Sequence, residues 1–281
     1  FMLFSQSDPV TSYPILYNFE DPNELDILFI SKNDSTSSIH LIDYLGEYIN
    51  GFPVEIEGDL SNGAAVADID LDGLPDIIVG SIEGVLYAIR HDGSIRSGFP
   101  IYLSSNINTP VTLANMDEDL EIEIMVGLDG GEIYVFNDDG SLMESNDFEG
   151  AAVYGGLSIA DLDQDASMEI IFNSVDHMLH AWEPQANSEV NGWPVNIGGL
   201  SVTEPIIMDI NSNLRLEVIN TTINGYIHII KYDGSSCDNF PYVSNDSIQF
   251  TPDVGDLDQD GDIEIIIGTN NDLKVLDISD D

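Results

Sequence analysis

Positive charge is nearly missing from this chain. Lys and Arg make up 6 of 281 residues against 52 Asp and Glu, a net charge of −46 at neutral pH. The six bases (Lys32, Arg90, Arg96, Arg215, Lys231 and Lys274) are scattered. No basic patch can hold a polyanion, so nucleic acid is excluded as a partner. Cysteine occurs once, at Cys237, which rules out an intrachain disulfide. It stands in the polar stretch DGSSCDNFP, where an incidental loop thiol is expected. No apolar run approaches the roughly 18 residues of a membrane-spanning helix, so no membrane insertion is expected. No segment longer than about a dozen residues carries a helical period. The chain opens FMLFSQSD, with neither an initiator Met nor a basic leader. A mature piece or a monomeric domain excised from a larger protein is the expectation.

What the chain does have is a recurring acidic loop. It reads DIDLDGLPDI from Asp68, NMDEDLEIEI from Asn115, DLDQDASMEI from Asp161, DINSNLRLEV from Asp209 and DLDQDGDIEI from Asp256. The starts are 47, 46, 48 and 47 residues apart, the mark of a repeat architecture. Each unit shows the same order of signals. A short strand enters the loop (AAVAD, VTLAN, LSIAD, PIIMD, PDVGD) and a β-branched run leaves it (DIIVG, EIMVG, EIIF, EVI, EIIIG). A third strand follows (VLYAIR, EIYVFN, MLHAWE, YIHIIK), then a DGS hairpin signal at 92, 139 and 233. A fourth segment carries an aromatic–Pro pair: GFPV at Gly51, GFPI at Gly98, GWPV at Gly192, NFPY at Asn239. Proline there suits an outer edge strand.

Four antiparallel strands, repeated, describe a β-propeller blade. The expectation is an all-β chain: a single domain over 1–281, a six-bladed β-propeller of four-stranded antiparallel blades. The blades are placed at 11–55, 56–103, 104–150, 151–197, 198–244 and 245–281 plus 1–8. The first unit has lost its acidic loop (NFEDPNELD, with Pro22 where an acid should stand), and the last stops after its third strand. The N-terminal FMLF is expected to pair onto that last blade and close the ring, which removes exposed edges.

Alternate acids in a tight turn gather oxygens for a hard cation such as Ca²⁺. Positions 1, 3, 5 and 9 of the loop are Asp68, Asp70, Asp72 and Asp76 in the first clear copy, with the Leu74 carbonyl offered at position 7. The same frame gives Asn115, Asp117, Asp119, Glu121 and Glu123; Asp161, Asp163, Asp165, Ser167 and Glu169; and Asp256, Asp258, Asp260, Asp262 and Glu264. Asp209, Asn211, Asn213 and Glu217 form the weakest copy, with two acids. Gly73 and Gly261 serve the bend at position 6, where Ala166, Leu120 and Leu214 stand in the other copies. Occupancy is therefore expected to be best at 68 and 256, then 161, 115 and 209, for two to five calcium ions. An EF-hand is excluded, because position 12 is Val79 and the flanks are strands. The plain alternative is that Asp and Asn only cap turns. It accounts poorly for an acid recurring at position 9 of every copy.

The loop with its apolar strand, the DGS turn and the GFP or GWP element resemble FG-GAP/VCBS repeats, over about residues 13–281. That resemblance implies a propeller with Ca²⁺ in its turns, as in integrin α subunits and bacterial secreted or surface proteins. It implies no single activity.

No catalytic residue is assigned. His40, Tyr87, Tyr134, His180, His228 and Lys274 share one repeat position, which reads as a half-exposed strand site rather than a catalytic base. Phe52, Phe99, Trp193 and Phe240 recur at blade spacing and are expected to pack between blades. The leading expectation is a non-enzymatic, calcium-stabilised module for adhesion, recognition or structural display. It would lie outside the cell or on its surface and bind a protein or glycan on a ring face. A lectin-like propeller and a polysaccharide-active enzyme are the alternatives. With calcium present, Asp258→Ala should lower the melting temperature far more than Asn211→Ala, the matching change in the weak loop. Equal shifts in a thermal melt would defeat this ranking.

Overall fold

The computed structural model describes residues 6–19, 23–117 and 119–278. The described residues form strands, turns, bends and irregular connections, with no helix among them. None of them forms a helix long and apolar enough to cross a membrane. The strands form six antiparallel sheets in chain order. The first holds Ile15–Tyr17, Asp26–Lys32, Thr36–Ile42 and Val54–Glu57, and the second Ala64–Ala67, Asp76–Gly80, Val85–Arg90 and Ile101–Tyr102. The third holds Thr112–Ala114, Glu123–Gly127, Glu132–Phe136 and Leu142–Asp147. The fourth has Val153–Ala160, Glu169–Ser174 and Met178–Glu183, with its outer edge in two pieces, Ser188–Glu189 and Val195–Asn196. The fifth is Ile206–Met208, Glu217–Thr221, Tyr226–Lys231 and Tyr242–Val243. Among the described residues the sixth has three strands, Asp253–Gly255, Glu264–Gly268 and Leu273–Asp277. The expected pairing of residues 1–4 onto it, and Pro22 of the first loop, lie outside the described residues.

Two compact units divide the chain, Phe1–Ser145 and Asn146–Asp281. The division falls inside Leu142–Asp147, the outer strand that lacks an aromatic–Pro pair.

The strand sequences follow from burial. Second strands such as Asp76–Gly80 and Glu123–Gly127 are buried at every residue, so they read as continuous apolar runs. Third strands such as Glu132–Phe136 alternate, with one face less covered. Within each unit the core lies between successive sheets. Phe52, Leu28 and Ile39 of the first sheet pack with Ile77, Val79 and Ile89 of the second. Trp193 and Leu179 of the fourth pack with Val218 and Ile230 of the fifth. The aromatic before each proline thus serves inter-sheet packing: Phe52, Phe99 and Trp193 are buried, and Phe240 lies against the fifth-sheet core.

The glycine one residue earlier makes a second link. Gly51, Gly98 and Gly192 have φ of 95°, 91° and 98°. A Cβ on them would meet the carbonyl oxygen of Asp92, Asp139 or Asp233, the first residue of the next sheet's DGS turn, at 1.9, 2.0 and 2.0 Å. Gly63 also has a positive φ (88°), but nothing stands within 4 Å of its missing Cβ. Gly63→Ala should therefore cost only the backbone strain, about 1–2 kcal/mol. Gly98→Ala should cost at least about 2 kcal/mol more, because sheet and turn must separate. Equal denaturant midpoints for the two variants would refute the interlock.

Candidate metal centre

Each acidic loop is first a self-capped turn. The position-5 side chain accepts from the position-7 amide in all five copies: Asp72 from Leu74 (2.9 Å), Asp119 from Glu121 (3.1 Å), Asp165 from Ser167 (2.8 Å), Asn213 from Arg215 (2.7 Å) and Asp260 from Asp262 (3.0 Å). The position-1 Asp caps the bend. Asp68 accepts from Asp72 and Gly73, Asp161 from Asp165 and Ala166, Asp209 from Asn213 and Leu214, and Asp256 from Gly261. Asn115 instead donates to the Asp119 carbonyl at 2.6 Å. The bend takes positive φ at position 6, at Gly73 (91°), Ala166 (78°), Leu214 (67°) and Gly261 (100°). It also takes it at position 4, at Leu71, Gln164, Ser212 and Gln259. That second bend gave no sequence signal, since glycine occupies none of those four positions.

Capping leaves oxygens over. Asp68, Asp70 and Asp72 converge, as do Asp117, Asp119 and Glu123; Asp161, Asp163 and Glu169; and Asp256, Asp258 and Asp260, each set with ligand atoms within 4.8 Å of one another. Asp76, Asp165 and Glu264 stand outside these groups. The 209 loop, with two acids, forms no such group among the described residues.

The position-9 acid lies at the floor of the turn. Asp76, Glu123, Glu169, Glu217 and Glu264 are all buried, and so is Asp26 at the matching place in the first sheet. The glutamates each accept from the amide of loop position 2: Met116 (2.6 Å), Leu162 (2.6 Å), Ile210 (3.1 Å) and Leu257 (2.7 Å). Asp26 accepts from Phe19 at 3.0 Å, so the first unit keeps this acid although its loop is lost. Asp76 turns instead to Arg96. Burial, reinforced by neighbouring carboxylates, pushes Glu123 up to about 7 and Glu169 up to about 8. Glu217 is raised in the same direction, chiefly by burial.

The 161 loop carries the test of fit. Glu169 is 1 % exposed, and its Oε1 is buried with no hydrogen-bond partner, as is Oδ1 of Asp163 in the same group. Two desolvated carboxylate oxygens without donors are costly unless a cation satisfies them. An all-oxygen, multiply charged set suits a hard ion such as Ca²⁺.

The shared histidine position departs from expectation. His40, His180 and His228 are buried rather than half-exposed. His180 places Nδ1 2.6 Å from Glu189 Oε1 and Nε2 3.1 Å from Ser174 Oγ, a Ser–His–Glu order that the sequence reading missed. Ser174 is wholly buried, and its hydroxyl donates to Asp176. The first sheet builds the same chain from Ser31, His40 and Tyr48 at 2.8 and 2.7 Å. Phe29 and Phe172 stack on the two histidines, each at 4.6 Å. Repetition with a tyrosine in the acid's place marks a brace between strands. The pairs Phe29–Ser31 and Phe172–Ser174 were the available sequence signal.

No protein family matches the chain, and no curated protein does. Solved structures do. The V. cholerae biofilm matrix protein Bap1 aligns with a TM-score of 0.65 at 18 % identity, over 88 % of this chain and 42 % of that one. Saccharomyces cerevisiae Sqt1 aligns with a TM-score of 0.68 at 12 % identity, over 91 % and 69 %. BBS1N, solved in complex with ARL6DN, aligns with a TM-score of 0.64 at 12 % identity, over 95 % and 79 %. Such neighbours are β-propeller proteins. The fold is propeller-like. The chain spans less than half the length of the Bap1 chain, and at these identities the likenesses speak of fold alone.

The raised carboxyls fix a sign. A folded value above the ordinary 4.5 for Glu169 adds stability below that pH and removes it as pH rises toward about 8. In chelator, the melting temperature should fall between pH 5 and 8, and Glu169→Gln should flatten that slope. A profile that rises over this window, or one that E169Q leaves unaltered, would contradict the assignment.

Proposed function

We propose that this chain is a calcium-stabilised, non-enzymatic β-propeller module of the FG-GAP/VCBS kind, from an extracellular or cell-surface protein, used for adhesion, recognition or display. The six sheets are read as six blades, with the N-terminal residues completing the last. The observation that carries the calcium reading is the pair of orphaned oxygens, Glu169 Oε1 and Asp163 Oδ1, buried within one acidic group. Asp161, Asp163 and Glu169 would hold the ion there, with Asp117, Asp119 and Glu123, and Asp256, Asp258 and Asp260, as the companion sets. The ion would neutralise the carboxylates and tie the loop to the strand that leaves it, so that binding free energy becomes folding free energy.

The location follows from the ligands. Loops exposed to water and already self-capped suit the millimolar calcium found outside cells better than the trace levels within. The surface charge fits as well: filling five loops would still leave the chain at about −36. A partner is then a protein or glycan recognised by loops on a rigid scaffold. Bap1, one of the fold's solved examples, is a biofilm matrix protein, which is the kind of setting this reading describes. The buried Ser174 and the strand-bracing role of His180 support a non-catalytic module.

Calcium at a hundredfold excess over Kd should add roughly 2.7 kcal/mol for each filled site. Scanning calorimetry should therefore show a melting temperature that EDTA lowers and calcium restores, with magnesium restoring little. A melt indifferent to chelator would remove the basis of the proposal.

A further inference from the structure

In the Asp68 loop, two of the acids at ligand positions already meet a buried cation. Arg96 is 6 % exposed. Its Nη1 lies 2.7 Å from Asp76 Oδ2 and 2.9 Å from Asp70 Oδ2, and its Nη2 lies 3.5 Å from Asp138 Oδ2. Asp70 and Asp76 are positions 3 and 9 of the loop, two of the four acids that the repeat supplies for an ion.

Arginine is foreign to this place in the fold. Four residues make the same two backbone bonds, donating to the third strand and accepting from the aromatic before the cis proline. They are Ile49 (to Leu41, from Phe52), Arg96 (to Ala88, from Phe99), Val190 (to Ala181, from Trp193) and Cys237 (to Ile229, from Phe240). Ile49 and Val190 belong to the inter-sheet cores, and Cys237 packs against one. A buried guanidinium is tolerated there only because carboxylates meet it. The loop has changed to match. In the other four loops the position-9 acid is a glutamate that bonds back to the amide of position 2. Here it is the shorter Asp76, and it faces Arg96.

We infer that Arg96 is a built-in counter-cation that takes the place of calcium in the Asp68–Asp76 turn. This rests on the calcium reading of the other loops. One of the two loops whose sequences look most complete is then satisfied without a metal. Asp68, Asp70 and Asp72 still converge, but a divalent ion among them would stand beside a fixed positive charge that holds one of its ligands.

Calcium titration calorimetry on the full chain tests this with three variants. Asp72→Asn, which keeps the turn bond to Leu74 and leaves Arg96 alone, should change neither the number of bound ions nor their affinity. Arg96→Met should gain a calcium site at least about tenfold tighter than any the wild type has in this loop. It should also melt earlier than wild type in chelator, and calcium should close that gap. Glu169→Gln should lose an ion in either background. Loss of an ion from D72N, or an unaltered calcium stoichiometry in R96M, overturns the inference. An R96M chain that folds only when calcium is added supports it, and one that calcium cannot rescue counts against it. A wild type that binds no calcium overturns the functional proposal instead, and R96M must still acquire a site for the inference to stand.

Discussion

A carboxylate buried at the start of every second strand is the constraint on which the rest of this structure depends. Asp26, Asp76, Glu123, Glu169, Glu217 and Glu264 stand where the chain leaves the turn and enters the most enclosed strand of its sheet. A charge removed from water must be met by donors or by an opposite charge. Each loop is, in effect, an answer to that demand. The position-2 amide supplies one donor in five of the six sheets, and in four loops the acids converge closely enough to hold a cation.

The six copies answer to different degrees. The first loop has Asn18 at position 1 and Pro22 at position 5, and at its floor one amide serves Asp26. The fifth keeps two acids and fills the remaining places with neutral amides, at Asn211 and Asn213. The fourth leaves the demand most open, with orphaned oxygens on Glu169 and Asp163. The second answers it from within the protein, through Arg96. One turn geometry therefore supports several ways of balancing charge, because the backbone bonds that shape the bend do not themselves require an ion.

The fold was legible because its signals repeat. β-branched runs, DGS turns and aromatic–Pro pairs at one period placed nearly every strand. The Asp and Asn positions of the loops were legible for the same reason. Arg96 was not. It lies 20 residues beyond Asp76 in sequence, in a segment whose repeats carry apolar residues, and only folding brings the two together. The Ser174–His180–Glu189 chain was hidden likewise, its members sitting on separate strands. Burial of the histidines was misjudged because tyrosine and lysine share their position. Those longer side chains reach water from a site where an imidazole stays beneath the surface.

The contact of Gly51, Gly98 and Gly192 with the following turn bears on how such a chain can vary over time. In the first, second and fourth repeats a notch stands at the end, and the turn of the next repeat fills it. Losing the turn of the following repeat would leave such a notch without its counterpart. Insertions should accordingly be borne better in the segments between notch and turn than at either of the two.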